Sequence, residues 1–274
     1  MGVRKSISNN QQQSIIALLT DFGLQDQYAA AMKGVILSLN PSARIVDFSH
    51  DIQPHKISQA GYLLWSGYKY FPQKTIFVCV VDPGVGSERK IIAAQTSHYT
   101  FLAPENGLLD AALSEEPKFE LVEVLMEKIV NIISPEVAPT FHGRDVFAPI
   151  AAYLSKGIGV KELGMVRENP FVHSPFVHGS EDVTKAAILH VDHFGNIITN
   201  IRVGDLLSAE KKMKAVAVGS HLISRWIRTY SDAPENTPCL LIGSSGLVEI
   251  SVKSKSAAAL LAATVGAPIR VYWQ

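Results

Sequence analysis

Residues 76–84, Ile-Phe-Val-Cys-Val-Val-Asp-Pro-Gly, decide the fold class. Ile76–Val81 is a continuous apolar run of strand length, and it reads as a buried strand that runs into Asp82-Pro83-Gly84. Upstream, Ile15–Thr20 (IIALLT) is a second such run, ending in Asp21-Phe22-Gly23. Arg44–Phe48 (RIVDF) is a third. Between Ile15–Thr20 and Arg44–Phe48, Tyr28–Leu39 carries apolar residues at Ala31, Met32, Val35, Ile36 and Leu39, which is helical spacing. Asn40-Pro41 stops that helix. Ile57–Tyr68 is also helix-like and ends before Phe71-Pro72. Strand, helix, strand, helix, strand reads as two successive βαβ units, hence a parallel sheet with helices packed on it.

Downstream the pattern changes. Ile91–Gln95 and Tyr99–Leu102 flank a short polar turn and read as a hairpin. Gly107–Leu113 reads as a short helix, Leu121–Met126 as a strand and Phe147–Leu154 as a helix on the sheet. Gly157–Asp182 is rich in Gly, Pro, His and charge, as a connection between domains would be. Beyond it the signals are β-like: Ala186–Val191, Ile197–Val203, Ala215–Val218, Cys239–Ile242, Leu247–Val252 and Ile269–Trp273, with only Ala257–Ala263 helical. The expected organisation is an N-terminal α/β domain over 14–160 with a largely parallel sheet, a linker over 161–183, and a smaller antiparallel β-barrel-like domain over 184–274.

The 274 residues are 47% apolar and 18% charged, which supplies a sizeable core and excludes a disordered chain. Lys+Arg and Asp+Glu both total 25, so no basic excess argues for general nucleic-acid binding. Two cysteines, Cys79 and Cys239, make neither a disulfide framework nor a CxxC zinc pair, and read as buried thiols in a reducing, cytoplasmic compartment. No apolar run reaches membrane-spanning length. The N-terminal MGVRKSISNNQQQ lacks the apolar core of a secretory signal. Its match to the short myristoylation pattern M-G-x-x-x-S is read as chance, and the segment as an unstructured lead.

In open parallel sheets, ligands bind outside the C-terminal strand ends. Asp21 and Asp82 both stand there, either as functional carboxylates or as turn formers and helix caps. The loop Asp82-Pro83-Gly84-Val85-Gly86-Ser87-Glu88-Arg89 matches neither GxGxxG nor a Walker A motif. Arg89 lies close enough to fold back on Asp82, which would keep the carboxylate ionised and fix its direction. In Phe141-His142-Gly143-Arg144-Asp145, His142 either handles a water or opens the following helix, and Asp145 is a possible cap of that helix. Asp21-Phe22-Gly23 and HGRD are not kinase motifs, since their order is reversed and no nucleotide loop precedes them. His50, Asp51 and His55, with Asp21, Asp26 and Asp82, form the rival reading of a divalent-metal site; polarity of the loop after the second strand is the plainer one.

Seven strings in order, LLTDFGLQDQYAAAMKGV (18–35), IVDFSHDIQPHKISQAGYLL (45–64), FVCVVDPGVGSERK (77–90), FLAPENGLL (101–109), TFHGRDVFAPIAAYL (140–154), HVDHFGNIITNI (190–201) and IGSSGLVEISV (242–252), resemble the S-adenosylmethionine (SAM) hydroxide adenosyltransferase family, which is related to fluorinases and chlorinases. The resemblance implies hydrolysis of SAM to adenosine and L-methionine, a homotrimer with the substrate between neighbouring subunits, and no metal or redox cofactor. It implies Asp82, Arg89 and His142 as the catalytic set. A carboxylate locked by Arg is a weak base near neutral pH, so Asp82 is expected to orient the attacking water or stabilise developing positive charge, and His142 to accept the proton. Asp21 is implied to hold the ribose hydroxyls, Asp192 the methionine ammonium, Phe194, Asn196 and Ala257 the adenine side, and Ser244 and Ser245 the methionine carboxylate. The readings set against hydrolysis are a halogenase of the same fold, a non-catalytic binder of adenosine-type ligands, and a metal-dependent hydrolase.

Overall fold

The computed structural model describes residues 14–168, 170, 172–176, 186–202 and 213–273. Two compact units divide after Val172. The first unit is built on a seven-stranded sheet. Its strands are β1 (Ile15–Thr20), β2 (Arg44–Ser49), β3 (Ile76–Val80), β4 (Ile91–Thr96), β5 (Thr100–Pro104), β6 (Phe119–Val124) and β7 (Gly164–Val166), in the order β2-β1-β3-β5-β4-β6-β7. β2, β1, β3 and β5 run parallel, and β4, β6 and β7 join antiparallel.

Alternation along the central strands makes two cores. Ile16, Leu18, Ile76, Val78 and Val80 face one side, under helices Tyr28–Leu39 and Ala148–Ser155. Ala17, Leu19, Phe77, Cys79 and Val81 face the other, under helix Ile57–Gly67 and the short helix Asp110–Leu113. Both faces are covered, which is why these strands read as unbroken apolar runs. Thr20 stands opposite Val80 in the β1–β3 register, so Asp21 and Asp82 leave the sheet at one edge, on adjacent strands.

Three local expectations are revised. β6 starts at Phe119 and ends at Val124, and Met126 opens the short helix Met126–Ile129. The helix expected from Phe147 is preceded by a π-helical turn, Gly143–Phe147, that leads directly into Ala148–Ser155. The start of the stretch expected to link the domains belongs to the first unit. Val160 and Leu163 are buried in its core, and β7 pairs with β6 as an edge strand. Residues 1–13 of the expected lead and 169, 171 and 177–183 of the expected linker lie outside the described residues.

The second unit contains β8 (Ile188–Val191), β9 (Ile197–Arg202), β10 (Met213–Val218), β11 (His221–Ile223), β12 (Cys239–Ile242), β13 (Leu247–Ser251) and β14 (Ile269–Trp273). They form two antiparallel sheets, β12-β13-β9-β8 and β11-β10-β14. Ile188, Ile197, Val248 and Ile250 of the first sheet share a core with Val216, Val218 and Ile269 of the second. Among the described residues no closed barrel forms, and beside the shared core the sheets are tied by an isolated bridge between Ala187 and Pro268 and by the backbone hydrogen bonds around it, Ile188 N–H to Ala267 and Ile269 N–H to Ala186.

Candidate active site

The loop after β3 folds back as its glycines allow. Gly86 has φ +77°, and a Cβ there would lie 2.5 Å from the Pro139 carbonyl oxygen, so the 82–89 loop packs tightly on the segment before Phe141. Arg89 donates through Nε to Oδ1 and Oδ2 of Asp82, at 2.9 and 2.8 Å, and again through Nη2 to Oδ2. The same Nη2 lies 2.9 Å from Nδ1 of His142. Arginine cannot accept a hydrogen bond, so Nδ1 is the acceptor and the neutral imidazole carries its proton on Nε2. Burial lowers the His142 pKa, the Arg89 charge lowers it further, and the Asp82 and Asp145 charges only partly offset this. The guanidinium also sits 5.7 Å from the centre of the Phe147 ring, in the π-helical turn that His142 caps. π-helical turns of this kind recur at functional sites.

A cavity of about 530 Å³ opens over this set, lined by Asp21, Asp82, His142, Phe22, Tyr28 and Phe141 among others. Asp21 accepts the backbone N–H of His55 at Oδ2, at 2.9 Å. Phe22, Tyr28 and Phe141 pack edge to face and edge to tilt, with centroids 5.1–5.9 Å apart, and give the cavity an aromatic wall. Sequence reading did not single out these three rings. Phe22 and Phe141 flank chosen residues, but Tyr28 carried no signal beyond helix periodicity.

His50, considered above as a metal ligand, has its ring nitrogens engaged by Thr20 and Asp47. Among the described residues no three His, Cys, Asp or Glu side chains are grouped to hold a metal ion.

In the second unit a cavity of about 720 Å³ is lined by Asp192, Phe194, Asn196, Tyr230 and the segment Val252–Ser256. Asp192 organises its own turn. Oδ1 accepts the N–H groups of Phe194 and Asn196 at 2.9 and 2.8 Å, and Oδ2 accepts the Asn196 amide at 2.9 Å. The turn leaves the Phe194 ring 77% exposed, available to a ligand. Gly195 has φ +83°, and a Cβ there would fall 2.2 Å from Ser256 Oγ. That close approach joins the 192–196 turn to the Ser256-capped helix Ala257–Leu260. Ala257 is fully buried, so its side chain is not on the cavity wall. Ser244 and Ser245 sit in the β12–β13 turn, away from that wall. Ser245 Oγ is buried with no hydrogen-bond partner. Tyr230 is the residue missed here, and it was hidden in a stretch without periodicity.

Two family models cover the chain: the SAM hydroxide adenosyltransferase N-terminal domain matches residues 16–164 and the C-terminal domain residues 186–270. The chain belongs to the SAM hydroxide adenosyltransferase family. It is 36% identical over 260 residues to the (R)-S-adenosyl-L-methionine hydrolase of Salinispora arenicola, covering 93% of this chain and 97% of that protein. It is 27% identical over 228 residues to a fluorinase of Nocardia brasiliensis, covering 73% and 75%. A conserved protein of Thermotoga maritima superposes with a TM-score of 0.83 at 30% identity, covering 94% of this chain and all of that one. Within this adenosyltransferase family, the Asp82–Arg89–His142 set and the cavity above it lie inside the N-terminal match. Asp192, Phe194, Asn196, Ser244, Ser245 and Ala257 lie inside the C-terminal one.

Proposed function

We propose that this protein is an S-adenosyl-L-methionine hydrolase, forming adenosine and L-methionine by in-line attack of water at C5′ of the ribose. The observation that carries the reading is the hydrogen-bonded Asp82–Arg89–His142 set, whose Asp82 and His142 line a cavity that Asp21 also lines. As the oxygen–C5′ bond forms, the C5′–sulfur bond breaks and its electron pair returns to sulfur, so the sulfonium leaves as a neutral thioether. Such a leaving group needs no acid, and holding the water in line supplies much of the rate. The attacking water loses one proton. His142 is poorly suited to take it, because its Nδ1 lone pair is occupied by Arg89 and its Nε2 already bears hydrogen. This reassigns the acceptor from His142 to Asp82. The Asp82 carboxylate, held in direction by the guanidinium fork, orients the water and accepts its proton. His142 keeps Arg89 in place and offers Nε2–H as a donor.

The same reading gives Asp21 the ribose hydroxyls, Asp192 the methionine ammonium, and Phe194, Asn196 and the backbone at Ala257 the adenine side. Ser245, with a buried and unpartnered hydroxyl, and Ser244 take the methionine carboxylate. We assign the working form as a homotrimer that uses SAM without a metal or redox cofactor. Cys79 and Cys239 are both free and buried, in keeping with a reducing cytoplasm. No helix among the described residues is long and apolar enough to cross a membrane.

The test is chromatography of products after incubation with SAM, with and without chelator and chloride. Equal adenosine and methionine under all conditions support the hydrolase, and Asp82→Ala is expected to abolish turnover while SAM still binds. A halogenated nucleoside, loss of activity with chelator, or binding without turnover each overturns it.

A further inference from the structure

Thr20 ends the apolar run of β1 and is 0% exposed, and His50 beside it is 3% exposed. A valine would fill the place of Thr20 without burying a hydroxyl, so the polar pair needs a reason. Its hydrogen bonds supply one. His50 Nδ1 lies 2.8 Å from Thr20 Oγ1, His50 Nε2 lies 3.1 Å from Asp47 Oδ1, and Lys33 Nζ lies 2.7 Å from Asp47 Oδ2. Burial raises the Asp47 pKa, but the bonds from Lys33 and His50 more than reverse this and keep it below its ordinary value. An ionised Asp47 only accepts, so Nε2 carries the imidazole proton and Nδ1 accepts from the Thr20 hydroxyl. The Thr20 oxygen then receives the Phe22 N–H at 3.2 Å. The backbone of His50 adds a second tie, since its carbonyl accepts the Gly23 N–H at 2.8 Å. Asp21 is therefore bracketed. Thr20 before it is bonded to the His50 ring, Phe22 after it to the Thr20 hydroxyl and Gly23 to the His50 carbonyl, and its own Oδ2 is anchored to His55 N–H.

We infer that His50 and Thr20 are positioning residues for substrate binding: the Asp47–His50–Thr20 chain sets the turn that aims Asp21 into the cavity. Among the described residues the chain makes no hydrogen bond or ion pair to Asp82, Arg89 or His142, so it acts on binding and not on the displacement step. This inference rests on the reading of Asp21 as the ribose carboxylate.

Steady-state kinetics with SAM on Thr20→Val, Thr20→Ser and Asp21→Ala separate the possibilities. Thr20→Val is expected to raise KM about threefold to tenfold, the worth of one net hydrogen bond, with kcat within about twofold of the parent. Thr20→Ser restores KM, and on an Asp21→Ala background Thr20→Val adds nothing further. Asp47→Ala, at the partly exposed end of the chain, gives the same KM-only change more weakly and serves if Thr20→Val does not fold. A raised KM for Asp21→Ala with parental KM in Thr20→Val and Asp47→Ala overturns the positioning role and leaves the ribose reading standing. An unchanged KM in Asp21→Ala overturns both. A fall in kcat without a KM change also overturns the inference, by moving the effect to chemistry.

Discussion

Arg89 Nη2 donates to His142 Nδ1 at 2.9 Å while the same guanidinium grips both oxygens of Asp82. One permanently charged fork thus sets the direction of a carboxylate and the tautomer of an imidazole. A lysine has no planar fork and cannot serve both. Arg89→Lys is expected to lower kcat about 10- to 100-fold, the range for losing a hydrogen bond to a charged group, with a much smaller change in KM. Comparison of kcat and KM for SAM turnover checks this, and parental kcat would remove Arg89 from the mechanism.

The lowered pKa of His142 predicts a pH profile. Burial and the Arg89 charge hold the imidazole neutral in the folded protein, below its ordinary value near 6.5. Protonation would set two cations against each other and break the Arg89 bond. The acid limb of kcat assigned to His142 should therefore fall below the ordinary imidazole value. In stability the unfolded chain binds this proton more readily. His142 thus costs stability at acid pH, the cost shrinks as pH rises from the folded pKa through the ordinary value, and it is absent above. Melting curves of the parent and His142→Gln should diverge on the acid side and run parallel at pH 8.

Gly195→Ala tests the joint between the 192–196 turn and Ser256. The new methyl meets Ser256 at both Oγ and Cβ, and φ +83° is strained for any side chain. A loss of about 1–3 kcal/mol follows from the backbone alone, and displacement of Phe194 and Asn196 adds a rise in KM. Denaturant melts and SAM kinetics read the two effects separately. A neutral outcome in both would show that the turn is not constrained as described.

Glu249 predicts the opposite pH sign from His142. It is buried on β13, accepts the Tyr230 hydroxyl at 2.8 Å, and fills the space where a side chain on Gly243 would go. Burial raises its pKa, and the Asp192 charge adds to this against the favourable Tyr230 bond. The folded state therefore holds this proton more tightly than the unfolded chain, so stability is lost as pH rises from the ordinary carboxyl range through the raised value. Glu249→Gln, which keeps an acceptor for Tyr230, should melt higher than the parent at pH 8 and show no such gain at pH 4.

The βαβ units were legible because β1 up to Thr20 and all of β3 are apolar, a pattern that a sheet covered on both faces explains. β7 was not, since three residues, Gly164–Val166, carry no period and gain their place only by pairing with β6. The π-helical turn at Gly143–Phe147 was equally hidden. Arg89 folding back on Asp82 could be anticipated because only seven positions separate them. His142 as their third member came only through family resemblance, because it lies 53 positions from Arg89.

From sequence alone came the parallel sheet, the edge at which Asp21 and Asp82 emerge, and the residue types available for chemistry. Apolar periodicity and strand ends are local properties, and a linear reading reaches them. The tertiary structure decided what each polar atom does. It gave His142 its tautomer, gave His50 to Thr20 across 30 positions instead of to a metal, and left Ser245 Oγ without a partner. A hydrogen bond has a donor, an acceptor and a direction, and all three are set only when distant segments are held within about 3 Å of one another.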